Sequence, residues 1–122
     1  MKKTMYQFTS KYITKDENVI WDKIKTSFKP LEIIYGLKGI EYKILTITNS
    51  SISFKAKSRN EGIKETIFKE DLLPILYKLK TQRSFNTESV KEIFKGPLNK
   101  ISSPIFAILM ASEIIQEVGV KE

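Results

Sequence analysis

The chain has 122 residues, of which 41% are hydrophobic, so it is long enough to bury one core and we predict a single domain over residues 1–122. It contains no cysteine and no histidine, which excludes disulfides, thiolate metal sites, a cysteine nucleophile and a histidine general base. No segment has the roughly 20 apolar residues that a bilayer requires, and the first residues lack the apolar core of a secretion signal, so we expect a cytoplasmic protein.

The net charge of +7 comes from the first half of the chain. Residues 1–60 carry twelve Lys or Arg against five Asp or Glu, whereas residues 61–122 carry nine of each. A basic half beside a neutral half predicts a surface directed at an anionic partner. Of the cationic residues, nineteen are lysine and two are arginine, which is the better bidentate reader of bases and phosphates.

The first clear helical pattern covers residues 15–29. Thr14 and Glu17 have the Thr-x-x-Glu spacing of a capping box, and apolar residues recur at four-residue intervals from Ile20. The segment before it, residues 1–13, is aromatic and alternates only weakly, which leaves a strand or a flexible arm open.

The centre of the chain has the alternating pattern of β-strands. Branched and aromatic residues are frequent there, and Asn-, Ser- and Gly-containing turn signals separate the apolar runs. This pattern predicts an antiparallel meander of three or four strands. The predicted strands lie at residues 31–35, 40–48, 52–57 and 63–68.

Beyond residue 68 the apolar period becomes helical. Asp71 is the predicted N-cap of a helix over residues 72–80. Asn86 or Thr87 is the predicted cap of a shorter helix through Phe94, because Gly and Pro follow that residue and end it.

A third C-terminal helix is predicted from Ser103, since a cap residue followed by Pro104 is a strong helix start. Its apolar stripe covers residues 105–118, and Gly119 ends it. The predicted fold is therefore α+β, with an N-terminal helix, a three- to four-stranded antiparallel sheet and three C-terminal helices.

The basic strand is the strongest candidate site. Lys55, Lys57 and Arg59 stand at every second position, so one strand would project all three from the same face of the sheet. Lys43 joins them if the register of the preceding hairpin places it on that side. We also expect flanking cations and an exposed loop arginine to extend the patch. The predicted nucleic-acid-binding residues are Lys43, Lys55, Lys57, Arg59, Lys64 and Arg83, with Lys38 as a further flanking residue.

The same lysines have an alternative interpretation. Lysine is typical of the solvated face of an antiparallel sheet, where it protects an edge from aggregation. Exposed aromatic residues beside the lysines would favour base stacking over simple solvation. Trp21, Tyr35 and Tyr42 are the candidates for that role.

Two other functional interpretations have weaker support. Residues 72–80 and 87–94 have the lengths of a helix-turn-helix unit, but the second helix would expose Glu88 and Glu92, which phosphates repel. Glu41-Tyr42-Lys43 has the Glu-x-Lys form of a metal-dependent nuclease, in which the carboxylate binds a divalent cation. Such a site needs a second acid on a neighbouring strand, whereas Asp22 falls on the predicted helix. We predict no catalytic residues, no metal site and no cofactor.

A resemblance extends over residues 42–111. The runs at residues 52–67, 72–76 and 102–109 resemble small strand-then-helices modules that accompany restriction endonucleases and other mobile-element proteins. They share a basic strand, a helix pair and a closing helix that opens with a Ser-rich cap. The resemblance implies an accessory role directed at DNA and no catalytic residues.

The composition and patterns together predict a non-enzymatic nucleic-acid-binding module, with DNA favoured. Lysine contacts would neutralise phosphates, and Arg59 and Arg83 would be the readers if bases are read at all. The alternative is a protein-interaction or inhibitor module whose basic face docks on an acidic partner.

Overall fold

The computed structural model describes residues 3–36 and 39–121, which contain three α-helices and six strands in two sheets. The elements in chain order are β1 (Lys3–Phe8), α1 (Glu17–Ser27), β2 (Ile33–Tyr35), β3 (Glu41–Ile47), β4 (Ser51–Lys55), β5 (Glu65–Phe68), α2 (Lys69–Lys80), α3 (Ser102–Ala111) and β6 (Ile115–Lys121). The α+β class is confirmed, but the arrangement of helices and strands differs from the prediction. Within these residues no helix is long and apolar enough to cross a membrane.

The larger sheet is the predicted antiparallel meander, with strand order β2-β3-β4-β5. β4 buries Ile52, Ser53 and Phe54 in succession. In the other strands alternate residues are buried, because the helices pack against one face of the sheet. We call this the covered face. Its buried residues are Ile34, Tyr42, Ile44, Ile52, Phe54 and Ile67.

The smaller sheet pairs β1 with β6, so residues near the two ends of the chain are antiparallel neighbours. Residues 3–8 are therefore a strand and not a free arm. Tyr6 and Phe85 extend this sheet by exchanging backbone hydrogen bonds of 2.8 and 2.9 Å.

The prediction of a helix through residue 118 is wrong, because α3 ends at Ala111 and β6 follows. The buried Ser112 hydroxyl donates to the carbonyl of Ile108 at 2.7 Å. Glu113 then takes a left-handed backbone with φ 64°, which a continuing α-helix does not tolerate. The chain turns there and pairs with β1.

The start of α1 also differs from the prediction. The N-cap is Asp16, whose carboxylate accepts a 2.8 Å bond from the backbone N–H of Asn18, and Thr14 has no capping role. Glu17 instead forms a 3.0 Å ion pair with Lys80 and joins α1 to the end of α2. The buried side of α1 carries Ile20, Trp21 and Ile24.

Neither of the first two predicted C-terminal helices has its predicted form. α2 begins at Lys69 without a side-chain cap, so Asp71 is its third residue and not its N-cap. Residues 87–94 form consecutive turns and no α-helix. The Asn86 carboxamide accepts the backbone N–H groups of Glu88 and Ser89 at 2.9 and 2.7 Å, which holds the chain in these turns. A helix-turn-helix unit is therefore not formed.

The helix α3 is the centre of the core, with every residue of 104–109 buried. It begins at Ser102, and no side chain caps it, so Ser103 is its second residue and not its cap. The Phe106 ring lies 5.3 Å from Tyr6 and 5.6 Å from Phe85 in edge-to-face geometry, which joins α3 to the smaller sheet.

Candidate nucleic-acid interface

The face opposite the covered face carries the exposed side chains of Ile33, Glu41 and Lys55, and we call it the open face. Ile33, Lys43 and Lys55 are register partners across β2, β3 and β4, so their side chains form one row on this face. The alternation supports this placement, because Tyr42 and Ile44 on either side of Lys43 are buried on the covered face.

The row lines an open groove of about 580 Å³. Lys43 is half-buried, while Lys55 and Lys57 are exposed, and all three contribute to the groove wall. Within residues 3–36 and 39–121 none of these lysines has an ion-pair or hydrogen-bond partner. Among its described lining residues, the groove contains the carboxylate of the exposed Glu41.

The prediction that Lys57 and Arg59 project with Lys55 from one strand is wrong, because β4 ends at Lys55 and Lys57 lies in the turn after it. Arg59 lies in the following turn and binds Glu65 through two bonds, from Nε at 3.1 Å and from Nη2 at 3.0 Å. Its Nη2 also donates to the carbonyl of Lys100 at 3.1 Å. The guanidinium is thus held by protein groups and braces the turn that carries Lys57.

The charges of Arg59 and Glu65 both act on the hydroxyl of the buried Tyr42. Burial raises the pKa of its hydroxyl above the ordinary value. The positive charge of Arg59 acts in the opposite direction, and the negative charge of Glu65 adds to the increase. The Arg59–Glu65 pair therefore belongs with the covered face.

Lys64 is exposed and lies one residue before β5. Since Phe54 pairs with Glu65, continuing that register would bring Lys64 beside Lys55. Lys64 is therefore placed to extend the row. Lys38, the other predicted flanking residue, lies outside the described residues.

Arg83 belongs to a different surface. It lines a second groove of about 430 Å³, together with Lys80, Gln7 and Gln116. Among the lining residues that the structure describes, this groove shares none with the groove that contains Lys43. The structure does not bring Arg83 together with the lysine row.

Of the three aromatic candidates, only Tyr35 is available to a ligand. Trp21 is fully buried, and its Nε1 donates to the carbonyl of Asn49 at 3.1 Å. Tyr42 is buried on the covered face, whereas the Tyr35 side chain is 64% exposed. Tyr35 follows Ile33 by two residues on β2, so both lie on the open face.

The lysines of α1 do not join this surface. Lys25 lies 3.5 Å from Asp22 and donates to the side chain of Asn49 at 3.2 Å. The helix that carries them buries Ile20 and Trp21 in the core on the covered side of the sheet. The positive charge of the first half is thus divided between the two sides of the molecule.

The nuclease interpretation gains no second acid. Glu41 and Lys43 do share the open face, but Asp22 lies on α1 and pairs with Lys25. In the described part of the chain no group of three acidic side chains is arranged to hold a metal ion.

The open face contains two features that sequence reasoning missed. Ile33 is 47% exposed in the same row as Lys43 and Lys55, and Glu41 places a negative charge in the groove. The alternation of side chains along β2 and β3 is the signal that could have placed Ile33 and Glu41 on this face, because it assigns residues to faces once the register is known.

The chain was compared with protein-family models, curated proteins and solved structures, and none of the three comparisons found a match. The resemblance to accessory modules of restriction endonucleases and mobile-element proteins therefore stays a prediction. The geometry of the open face is what remains to indicate function.

Proposed function

We propose that this protein is a non-enzymatic nucleic-acid-binding module that holds DNA against the open face. Lys43, Lys55 and Lys57 contact phosphates, and Lys64 extends the contact along the chain. The Arg59–Glu65 pair positions the turn that carries Lys57.

The observation that supports this proposal is the direct pairing of Lys43 with Lys55. Like charges placed opposite each other destabilise a sheet, and here no acidic partner within the described residues compensates them. A local arrangement that costs stability is expected where function requires it. A phosphate between the two ammonium groups removes the repulsion.

The chemistry of lysine determines the kind of binding. An ammonium group is a point charge that neutralises phosphate without the fork geometry that reads a base edge. We therefore expect affinity that falls steeply with salt and depends little on sequence.

The test is fluorescence anisotropy with labelled DNA across about 50 to 200 mM salt, a range in which several phosphate contacts change affinity by orders of magnitude. The variant replaces Lys43, Lys55 and Lys57 by Ala. Its matched control replaces Lys29, Lys78 and Lys91, three exposed lysines elsewhere, so the two variants have the same net charge.

The open-face variant should reduce the slope of log affinity against log salt by about 2 to 3, since each lost phosphate contact removes about 0.7 to 0.9. The control should keep the wild-type slope. Equal losses in both variants would reduce the effect to net charge and overturn the proposal. Absence of binding at the lowest salt would also overturn it, and the open face would then be better explained as a docking surface for an acidic protein.

A further inference from the structure

Two exposed side chains on the open face carry apolar surface that a phosphate does not use, namely the ring of Tyr35 and the side chain of Ile33. Tyr35 is 64% exposed and Ile33 is 47% exposed, and both lie on β2 at the edge of the sheet. Ile33 is in the row of Lys43 and Lys55, while Tyr35 pairs with Glu41 one row away. The open face is therefore both cationic and apolar, and its ligand should have anionic and apolar parts.

A DNA duplex does not supply the apolar part. Its base faces are stacked inside, and its major groove of about 12 Å admits a helix or a two-stranded ribbon. A four-stranded sheet spans about 14 Å between its outer strands, so it would rest on the phosphates alone. The ring of Tyr35 and the side chain of Ile33 would then have no apolar partner, even if the Tyr35 hydroxyl donated to a phosphate.

A single strand exposes base faces and phosphates on the same molecule. Diagonal neighbours across an antiparallel pair are about 7–8 Å apart, which is the relation of Tyr35 to Lys43. One base can therefore stack on the Tyr35 ring while an adjacent phosphate meets the paired lysines. Stacking on an aromatic ring beside a cationic groove is the general mode of single-strand binding.

The neighbour of Tyr35 favours DNA over RNA. Ile33 has no hydrogen-bonding group for a ribose 2′-OH, whereas it offers apolar contact to a thymine methyl group. We infer that the open face binds single-stranded DNA, with one base stacked on Tyr35 and Ile33 against the sugar or methyl group. This inference rests on the proposed function.

The experiment measures anisotropy with a labelled deoxythymidine oligonucleotide, a duplex of equal length and a uridine oligonucleotide. Tyr35→Ala should weaken binding of the deoxythymidine strand roughly 5- to 150-fold, in line with the loss of one stacked base. Tyr35→Phe keeps the ring and should bind as the wild type does. Neither variant should change the salt slope, because no charge is lost.

Tyr77→Ala is the matched control, since Tyr77 is 54% exposed on α2, away from the open face. It should bind the deoxythymidine strand as tightly as the wild type. Urea denaturation of each variant establishes that it is folded before affinities are compared.

The possible failures are distinguishable. If the Lys43, Lys55 and Lys57 variant loses the salt slope but Tyr35→Ala binds like the wild type, the stacking inference is overturned and the proposed function stands. Duplex binding that equals or exceeds single-strand binding overturns the single-strand preference. Uridine binding as tight as deoxythymidine binding overturns the choice of DNA. If the lysine variant keeps its slope, the proposed function itself fails.

Discussion

The two faces of the larger sheet are built from alternate residues of the same strands. One face is buried against the helices, and the other carries exposed side chains. On β4, Phe54 is fully buried and its ring lies 6.0 Å from that of Tyr42, whereas the next residue, Lys55, is exposed opposite Lys43. At this point of the sheet the covered face pairs two aromatic rings, whereas the open face pairs two like charges. The comparison shows that one strand can supply core packing with one face while the other face carries exposed charge.

The largest expected effect is a direct test of this division at adjacent residues. Phe54→Ala should lower the free energy of unfolding by about 3–5 kcal/mol, because it leaves a cavity in the core. Lys55→Ala should change it by no more than about 0.5 kcal/mol, and in the stabilising direction, because it removes like-charge repulsion. Urea denaturation of both variants gives the two values. Similar losses would mean that the faces do not differ in this way.

The edge of the open face depends on a close backbone approach at Gly36, directly after β2. A Cβ there would lie 2.5 Å from the ring of Tyr42 and 3.2 Å from the Cβ of Ala107. Gly36→Ala should therefore cost about 1–3 kcal/mol through overpacking of the covered face. Gly39→Asn is the comparison, because Gly39 has open space around it and a positive φ that Asn tolerates. A smaller loss for Gly36→Ala than for Gly39→Asn would contradict the packing.

Removing the Arg59–Glu65 ion pair tests whether the Arg59 guanidinium contributes to folding stability. Arg59→Ala should lower the free energy of unfolding by about 1–3 kcal/mol, because it leaves the half-buried Glu65 carboxylate without its partner. Lys95→Ala removes an exposed ion pair with Glu92 and should cost at most about 1 kcal/mol. Thermal or urea denaturation compares them. If Arg59→Ala were as stable as the wild type, the ion pair with Glu65 would not contribute to stability and Arg59 would count among the cations available to a ligand.

The smallest expected effect is a gain in DNA affinity, whereas Phe54→Ala, Gly36→Ala and Arg59→Ala are expected to lose stability. Glu41→Gln removes the carboxylate from the groove and should strengthen DNA binding about 2- to 5-fold at low salt, because it removes repulsion of phosphate. Glu117→Gln makes the same charge change on the exposed part of β6 and serves as the control in the same anisotropy titration. Equal gains in the two variants would show that only net charge matters.

Local patterns predicted the larger sheet well. The meander and its strand order were correct because period-two alternation and hairpin turns act over a few residues. The sequence left open whether Lys43 joins Lys55, because that depends on the register, and a register shift between Ile44 and Thr46 is what pairs the two lysines directly. The burial of Trp21 and Tyr42 was not predicted, since both were candidates for an exposed aromatic role.

The C-terminal third was predicted poorly, and the reason is competition from distant partners. Apolar residues at 114–118 fit a helix by periodicity, but they lie opposite β1, more than 100 residues earlier, and pair with it. Residues 87–94 carry a helix-like pattern, yet the Asn86 side chain holds their backbone in turns. Propensity is a weak prior in such cases, because tertiary contacts override it.

By itself the sequence determined the α+β composition, an antiparallel meander of three or four strands and the lysines that alternate with buried residues of β3 and β4. Only the tertiary structure decided which cations remain available. Arg59 is taken by Glu65 and by a carbonyl about forty residues away, and Arg83 lies in a separate groove. Alternation is local and can be read along the chain, whereas a hydrogen-bond partner is set by which segments the fold brings together.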